Sequence, residues 1–442
     1  LRDVLAYNIL TGTCLQNIVM LDPKREGYAI SANQTADGKF VACWNPAGFE
    51  DALQDRIDPL PTMVMSNPNL VSHVKVLWEN LVAASVNSNG GYFEALARVY
   101  GEALSLAICE LHGQLTLPHL YECISMLPGG GDRWLDFAFH MKKSRFPQVV
   151  EVEQAIAEGR KDSTGGFRGC VVELMRAVAC LSDPKLRASV SPPVTMSLEA
   201  LLDPDQCWQL YLSPPVEFLS AWSSVIKTFL VSLNLLKSAA PSAPRMLFIL
   251  DEVGQLVGEG QGGFPLVPRL FTYGAGGLGI TPLIVLQSNR QMRAFGPDAE
   301  ALIMSSAAAK LAFGVRDIES ATDWSRMMGT ETLQYDDRLA QQGAVHARNE
   351  AMRSLLDDGD ILQIGLAMAH QSFAALHQSI QPRQVMLPDE VMNLASDKAI
   401  FLHEDVEYPI QLERRPYWTQ RALAGRFLPN PYHPPLDRVR VA

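Results

Sequence analysis

The segment Met246-Leu-Phe-Ile-Leu-Asp251-Glu252 constrains this chain more than any other. Its five apolar residues are enough for a strand, and they run from a proline-rich loop to Val253-Gly254. A continuous apolar run of that length reads as a parallel strand buried on both faces. Its end delivers two carboxylates to the carboxyl edge of the sheet, where open α/β sheets bind their ligands. In a nucleotide hydrolase the first acid of such a pair holds the Mg²⁺ shell, and the second orients the attacking water. Taken alone, however, an aspartate here is more often a turn cap after a core strand.

The phosphate-cradling pattern G-x-x-x-x-G-K-[ST] that should accompany such a pair occurs nowhere in the 442 residues. The chain is 48% apolar, sufficient for a large core and two domains. A net charge of −11 excludes a surface that is basic throughout, so any nucleic-acid contact has to come from a local patch, a pore or a partner. The seven cysteines have no C-x-x-C spacing and read as reduced, buried thiols, and the dispersed histidines suggest no metal site. No apolar run reaches membrane-spanning length. The first residue, Leu1, falls inside a segment (Leu1–Thr11) that reads as the body of a helix. The chain is therefore expected to begin mid-protein, with membrane spans or the phosphate loop among preceding residues.

Residues 1–60 alternate short elements. Gln16–Leu21 and Lys39–Trp44 read as strands, the first ending in Asp22-Pro23-Lys24 and the second followed by Asn45-Pro46. From about Asn67 to Pro192 the periodicity is helical, over Val71–Val86, Tyr92–His112, Leu117–Met126, Arg133–Lys142, Val149–Ala157 and Gly169–Leu181. Strands resume at Cys207–Leu212, Arg245–Leu250 and Thr281–Leu286, with helices over Glu217–Lys237 and Leu266–Tyr273. Further alternation covers Ala299–Ser305, Ala309–Gly314 and Ile318–Met328, and late strands are expected at Ser372–Leu376 and Ala399–His403. Thr419–Ala442, rich in Pro and Arg, reads as an extended tail. The pattern is an α/β parallel sheet interrupted by an all-helical module.

Gln287 ends the strand that follows the acidic one. Adjacent parallel strands would thus bring an Asp-Glu pair and a neutral amide to one edge, where an amide can sense a γ-phosphate and steer water. Asp22 and Lys24 are either a charged pair near that edge or a proline turn with a solvated lysine. The glycine-rich stretches Gly258–Gly263 and Gly274–Gly279 lack the strand-loop-helix setting and the following Lys-Ser/Thr of a phosphate loop, and read as mobile loops. Arg269, Arg290, Arg293 and Arg316 lie nearby in sequence. Each is either a surface arginine or a finger reaching a neighbouring subunit's phosphate.

Together these segments resemble the coupling proteins of type IV secretion systems, the TraG/TraD-like ATPases of conjugation. Leu21-Asp-Pro-Lys-Arg-Glu26 resembles the family's Asp-Pro-Lys-Gly-Glu segment, and Trp44-Asn-Pro46 with Asp58-Pro-Leu60 its Asn-Pro-leucine stretch. Leu250-Asp-Glu252 resembles its acidic strand and Leu286-Gln-Ser288 its Gln-Ser strand. Leu387-Pro-Asp-Glu-Val-Met-Asn-Leu394, with Asp397-Lys-Ala-Ile400, resembles its closing segment. The resemblance runs from about residue 16 to 418 and implies a RecA-like P-loop NTPase sheet interrupted by an all-α insert. Residues 1–62 and 196–418 would form the nucleotide-binding domain, 63–195 the all-α domain and 419–442 the tail. It implies ATP and Mg²⁺ as cofactors, with Asp251 holding Mg²⁺ through water, Glu252 as catalytic carboxylate and Gln287 as γ-phosphate sensor. Asp22 and Lys24 would contribute to nucleotide binding, and Arg269 or Arg316 would be the arginine finger. Tyr273–Gly279 departs from the family's basic residues before the Gln-Ser strand, which leaves the finger's position open. The implied assembly is a homo-hexamer on the cytoplasmic face of the bacterial inner membrane, anchored through a segment outside this chain. Its implied partners are a relaxase–DNA complex or effector proteins, and the components of the secretion channel. An FtsK-like hexameric DNA translocase and a non-hydrolysing docking platform are the alternatives.

Overall fold

The computed structural model describes residues 16–31, 38–49, 52–83, 91–161, 165–257, 263–336, 338–356, 361–376, 378–419 and 421. The helix read at Leu1–Thr11, the stretch 258–262 and nearly all of the C-terminal tail lie outside them. The chain divides into two compact units, residues 1–307 with 415–442, and residues 308–414.

The first unit is built on five parallel strands: β1 (Asn17–Leu21), β2 (Phe40–Trp44), β3 (Trp208–Leu212), β4 (Met246–Asp251) and β5 (Ile280–Val285), in the order β2-β3-β1-β4-β5. Register pairs Leu21 with Leu212 on one side and Leu250 on the other, and Asp251 with Val285. The strands therefore end together and form one carboxyl edge. Because side chains alternate across a pleated strand, each apolar run supplies both faces of the sheet. Val19, Leu21, Trp44, Leu212, Phe248 and Leu250 enter the larger hydrophobic cluster. Ile18, Met20, Cys43, Tyr211, Leu247 and Ile249 enter a smaller one, closed by Tyr28 and Tyr417. Pro282 is tolerated in β5 because that strand lies at an edge of the sheet, where a missing backbone N–H costs no ladder bond.

Between β2 and β3 the structure is helical, with Leu70–Leu81, Gly91–His112, Leu117–Met126, Asp132–Lys142, Pro147–Gly159, Gly166–Val178 and Pro184–Ser189 as its α-helices. Their apolar faces belong to the same continuous cluster as one face of the sheet, so the helices and the sheet share a core. Asn80 reinforces that union, its side-chain oxygen accepting the N–H of Leu266 at 3.0 Å. Within the module Gly101 allows a helix to lie against the Trp78 indole, where a Cβ would come within 2.3 Å of the ring. The helix Ser223–Ala239 is buried along nearly its whole length, including Lys237, whose ammonium group donates to the carbonyls of Ala240, Pro241 and Ala243.

The second unit carries an antiparallel sheet of three strands, Ala309–Ala312, Lys398–His403 and Ile410–Glu413, against which Trp324, Met328 and Val391 pack. Its other strands, Thr330–Asp336 and Gln378–Gln384, pair antiparallel. Two helices, Arg338–Leu356 and Ile361–Leu376, join them in sequence.

Several expectations are corrected. Ser372–Leu376 is the end of a helix, not a strand. Gly274–Gly279 is largely helical: the short helix Leu266–Arg269 runs on as a π-helical turn over Leu270–Leu278 and stops at Gly279, whose φ of 71° suits a residue without a Cβ. Among the cysteines, Cys43, Cys109, Cys123, Cys170 and Cys180 are free, and burial pushes the thiols of Cys43, Cys109 and Cys170 up to about 12. Cys207 departs from the reading of free thiols and is disulfide-bonded. Among the described residues no helix is long and apolar enough to cross a membrane.

Candidate active site

The carboxyl edge between β1, β4 and β5 gathers the polar residues that the sequence singled out. β1 ends in Asp22, β4 in Asp251 and Glu252, and β5 in Gln287 two residues beyond its last ladder position. Glu252 takes a left-handed backbone conformation, φ 53° and ψ 25°. For a residue with a side chain this costs on the order of 1 kcal/mol, and it ends the strand abruptly at the edge. Gly254 follows, where a Cβ would press on the side chain of Gln291 at 3.2 Å.

Four hydrogen bonds converge on the Glu252 carboxylate. Gln287 Nε2 donates to Oε1 at 3.2 Å and to Oε2 at 3.0 Å. Gln255 Nε2 donates to Oε2 at 3.1 Å, and Lys24 Nζ to Oε1 at 3.3 Å. The backbone N–H of Gln287 is held in turn by Gln291 Oε1 at 2.8 Å. The Glu252 side chain is 11% exposed and Lys24 is 48% exposed, so the carboxylate is the sheltered member of the pair. Three strands thus meet at one carboxylate.

Asp251 is half-buried beside it. Burial raises its proton affinity first of all, the Lys24 ammonium lowers it and the charge of Glu252 raises it. Asp22 is different. It is 1% exposed, and its Oδ2 accepts the N–H of Tyr28 at 2.8 Å, which fixes the start of the short helix Glu26–Ser31. Burial pushes its carboxyl up to about 7 against the lowering effect of the Tyr28 and Gly27 N–H groups, with smaller upward contributions from Asp251 and Glu26. In this geometry Asp22 shapes the turn that carries Lys24 and faces away from solvent.

Of the arginines, Arg269 lies 3.7 Å from Glu79 on the helix Leu70–Leu81, and Arg293 bonds Glu300. Arg290 is exposed. Arg316 belongs to the second unit and is exposed, with no ion-pair partner among the described residues. Sequence reasoning did not foresee Gln255 or Gln291. Gln255 sits three residues past Glu252 in a 3₁₀ turn, so its spacing was visible but the turn type was not.

Among the described residues no cluster of three or more His, Cys, Asp or Glu side chains is arranged to hold a metal. A lone half-buried Asp251 at the edge fits Mg²⁺, which keeps several waters and uses one or two carboxylates with substrate phosphates instead of a protein cage.

The five-stranded parallel sheet with its flanking helices has the RecA-like fold of the coupling-protein structures it matches. Residues 245–396, from the acidic strand onward, match the family described as the TraM recognition site of TraD and TraG. That match spans about a third of the chain, and over it the chain is similar to TraD and TraG. Among solved structures it matches TrwBΔN70, a bacterial conjugative coupling protein, with a TM-score of 0.55 at 13% identity over 91% of this chain and 88% of that one. TrwB in complex with ADP and Mg²⁺ matches with a TM-score of 0.55 at 12% identity, covering 92% of this chain and 86% of that one. TrwB with the ATP analogue ADPNP gives 0.54 at 12% identity, over 92% and 88%. At such identities the likeness establishes fold and not chemistry. No curated protein sequence matches the chain significantly.

Proposed function

We propose that this chain is the motor part of a conjugative coupling ATPase, which binds ATP with Mg²⁺ and uses hydrolysis to pass substrates to a type IV secretion channel. The observation that carries the reading is the convergence of Lys24, Glu252 and Gln287 at one edge of a RecA-like sheet, beside Asp251. A carboxylate held by fixed donors can orient and accept a proton from an attacking water, and a neutral amide alongside it can read the γ-phosphate. Asp251 would hold Mg²⁺ through water, and the ion would neutralise charge on the phosphates. The 442 residues contain no G-x-x-x-x-G-K-[ST], so this reading gives them the acidic and sensing side of the nucleotide site.

The TraD/TraG segment supports the biological side of the reading. Its description points to a TraM-type accessory protein as one partner of residues 245–396. The cargo would be a relaxase–DNA complex or effector proteins, recruited with the help of the helical module. The working form would be a homo-hexamer on the cytoplasmic face of the bacterial inner membrane, tied to the membrane through a segment outside this chain. Arg269 or Arg316 would serve the neighbouring site as arginine finger.

Phosphate release from ATP by the full-length protein tests the reading when it is run beside a transfer assay in cells. The expected result is Mg²⁺-dependent turnover, with cargo transfer lost when Asp251 is replaced by Asn. ATP bound without turnover, and transfer unaffected by Asp251→Asn, would instead identify a docking platform.

A further inference from the structure

We infer that Lys24 is a positioning residue for Glu252 and not a ligand of the nucleotide, an assignment that rests on the hydrolase reading above. The turn that carries Lys24 is pinned on both sides. Before it, the buried Asp22 carboxylate holds the Tyr28 N–H at 2.8 Å, and the Asp22 carbonyl accepts the Arg25 N–H at 3.0 Å. After it, Arg25 is held in the left-handed region at φ 55°, with its guanidinium 3.4 Å from the centre of the Phe49 ring. Pro23 lies between, with its own φ fixed by the ring. A lysine on a free loop would pay several rotamers' worth of entropy to meet a carboxylate, and pinning the turn removes much of the backbone share of that cost.

The partner is oriented by what surrounds it. Glu252 Oε2 is served by the amides of Gln287 and Gln255, and Oε1 by Gln287 and Lys24. Removing Lys24 leaves one amide on Oε1 and two on Oε2, so the carboxylate loses the donor that balances the Gln255 side. The ammonium is half exposed, so the pair adds little to stability in water. Its effect lies in fixing the angle of the carboxylate. Small misplacements of a catalytic group cost far more in rate than in fold stability. The links run from the ends of β1, β4 and β5 to one side chain, so Lys24 couples the first strand of the sheet to the sensing amide on the last.

A mutant cycle on the full-length protein separates this role from direct nucleotide contact. Lys24→Met is expected to lower kcat roughly tenfold to a hundredfold while KM for ATP stays within about twofold. Lys24→Arg, which keeps the charge, is expected to recover part of that loss. In a Glu252→Gln background Lys24→Met should cause no further loss, because a residue acting through Glu252 has nothing left to position. A raised KM with kcat intact would make Lys24 a nucleotide ligand and overturn the inference. Multiplying losses in the double variant would overturn it too. If Glu252→Gln is impaired while Lys24→Met turns over like wild type, the inference alone fails. Wild-type turnover by Glu252→Gln would remove the hydrolase reading and the inference together.

Discussion

Gln287 faces Glu252 across the boundary between β4 and β5, its amide nitrogen 3.2 and 3.0 Å from the two carboxylate oxygens. The residues are thirty-five positions apart, and the pairing of Asp251 with Val285 brings them level. An amide that donates to both oxygens holds the carboxylate plane, and in the proposed role it would exchange one of those bonds for a phosphate oxygen. Replacing Gln287 by Ala removes the donor shared by both oxygens. Hydrolysis should fall roughly a hundredfold, in the range for losing one preorganised donor, with ATP affinity nearly unchanged. Steady-state kinetics beside equilibrium binding checks this, and unaltered turnover would count against the sensing role.

Asp22 makes stability depend on pH in a definite direction. Its folded pKa is raised from 3.8 to about 7, chiefly by burial. Between those values the folded protein holds a proton that the unfolded chain releases, so folding stability declines as pH rises through this window and the cost persists above it. Asp22→Asn keeps an oxygen for the Tyr28 N–H and cannot ionise. Its stability relative to wild type should climb between about pH 4 and 7, by a few kcal/mol in all. Urea unfolding of both proteins across that range is the measurement, and a difference that stays flat with pH would contradict the assignment.

Two arginines divide differently than their sequence context suggests. Arg269 is already placed 3.7 Å from Glu79 of its own chain, whereas Arg316 is exposed without an ion-pair partner among the described residues. A finger must be free to reach a neighbour's phosphate. Arg316→Ala is therefore expected to reduce turnover about a thousandfold, the scale of a lost finger. Arg269→Ala should shift stability by less than about 1 kcal/mol and leave turnover intact. The reverse pattern would return the role to Arg269.

The helical module is sensitive where it is tightest. A Cβ on Gly101 would meet the buried Trp78 indole at 2.3 Å, and that ring is anchored by its N–H to Ser105 Oγ at 2.9 Å. Gly101→Ala should destabilise the first unit by about 1–3 kcal/mol through overpacking. The sheet and the helices of the first unit share one core, so they should melt together in one lowered transition, whereas helices that melt apart from the sheet would speak against that shared core.

The parts of this fold legible in the sequence are those where burial and period agree. β1, β3, β4 and β5 are short apolar runs that stop at polar residues, and the helix Leu117–Met126 lies where its period placed it, behind a Thr116 side chain that accepts the His119 N–H. Ser372–Leu376 was misread because an apolar stretch without charges carries no period that separates strand from helix, and here it continues the helix Ile361–Leu376. The turn over Gly274–Gly279 was misread because glycine density signals a loop, while the preceding helix supplied enough hydrogen bonding to extend as a π-turn. At the candidate site the residue types and their strand ends were legible. The bond from Lys24 to Glu252 was not, because it depends on β1 lying beside β4, a crossover that spacing alone does not encode. Nor was the inward turn of Asp22, because the sequence leaves a charged pair at the edge and a proline turn equally open.

The most direct test of the account is ATP turnover by the full-length protein carrying Glu252→Gln. Glutamine keeps the shape and loses the negative charge that orients and deprotonates water, so the account predicts nucleotide binding close to wild type and hydrolysis lower by orders of magnitude. Turnover equal to wild type would contradict it.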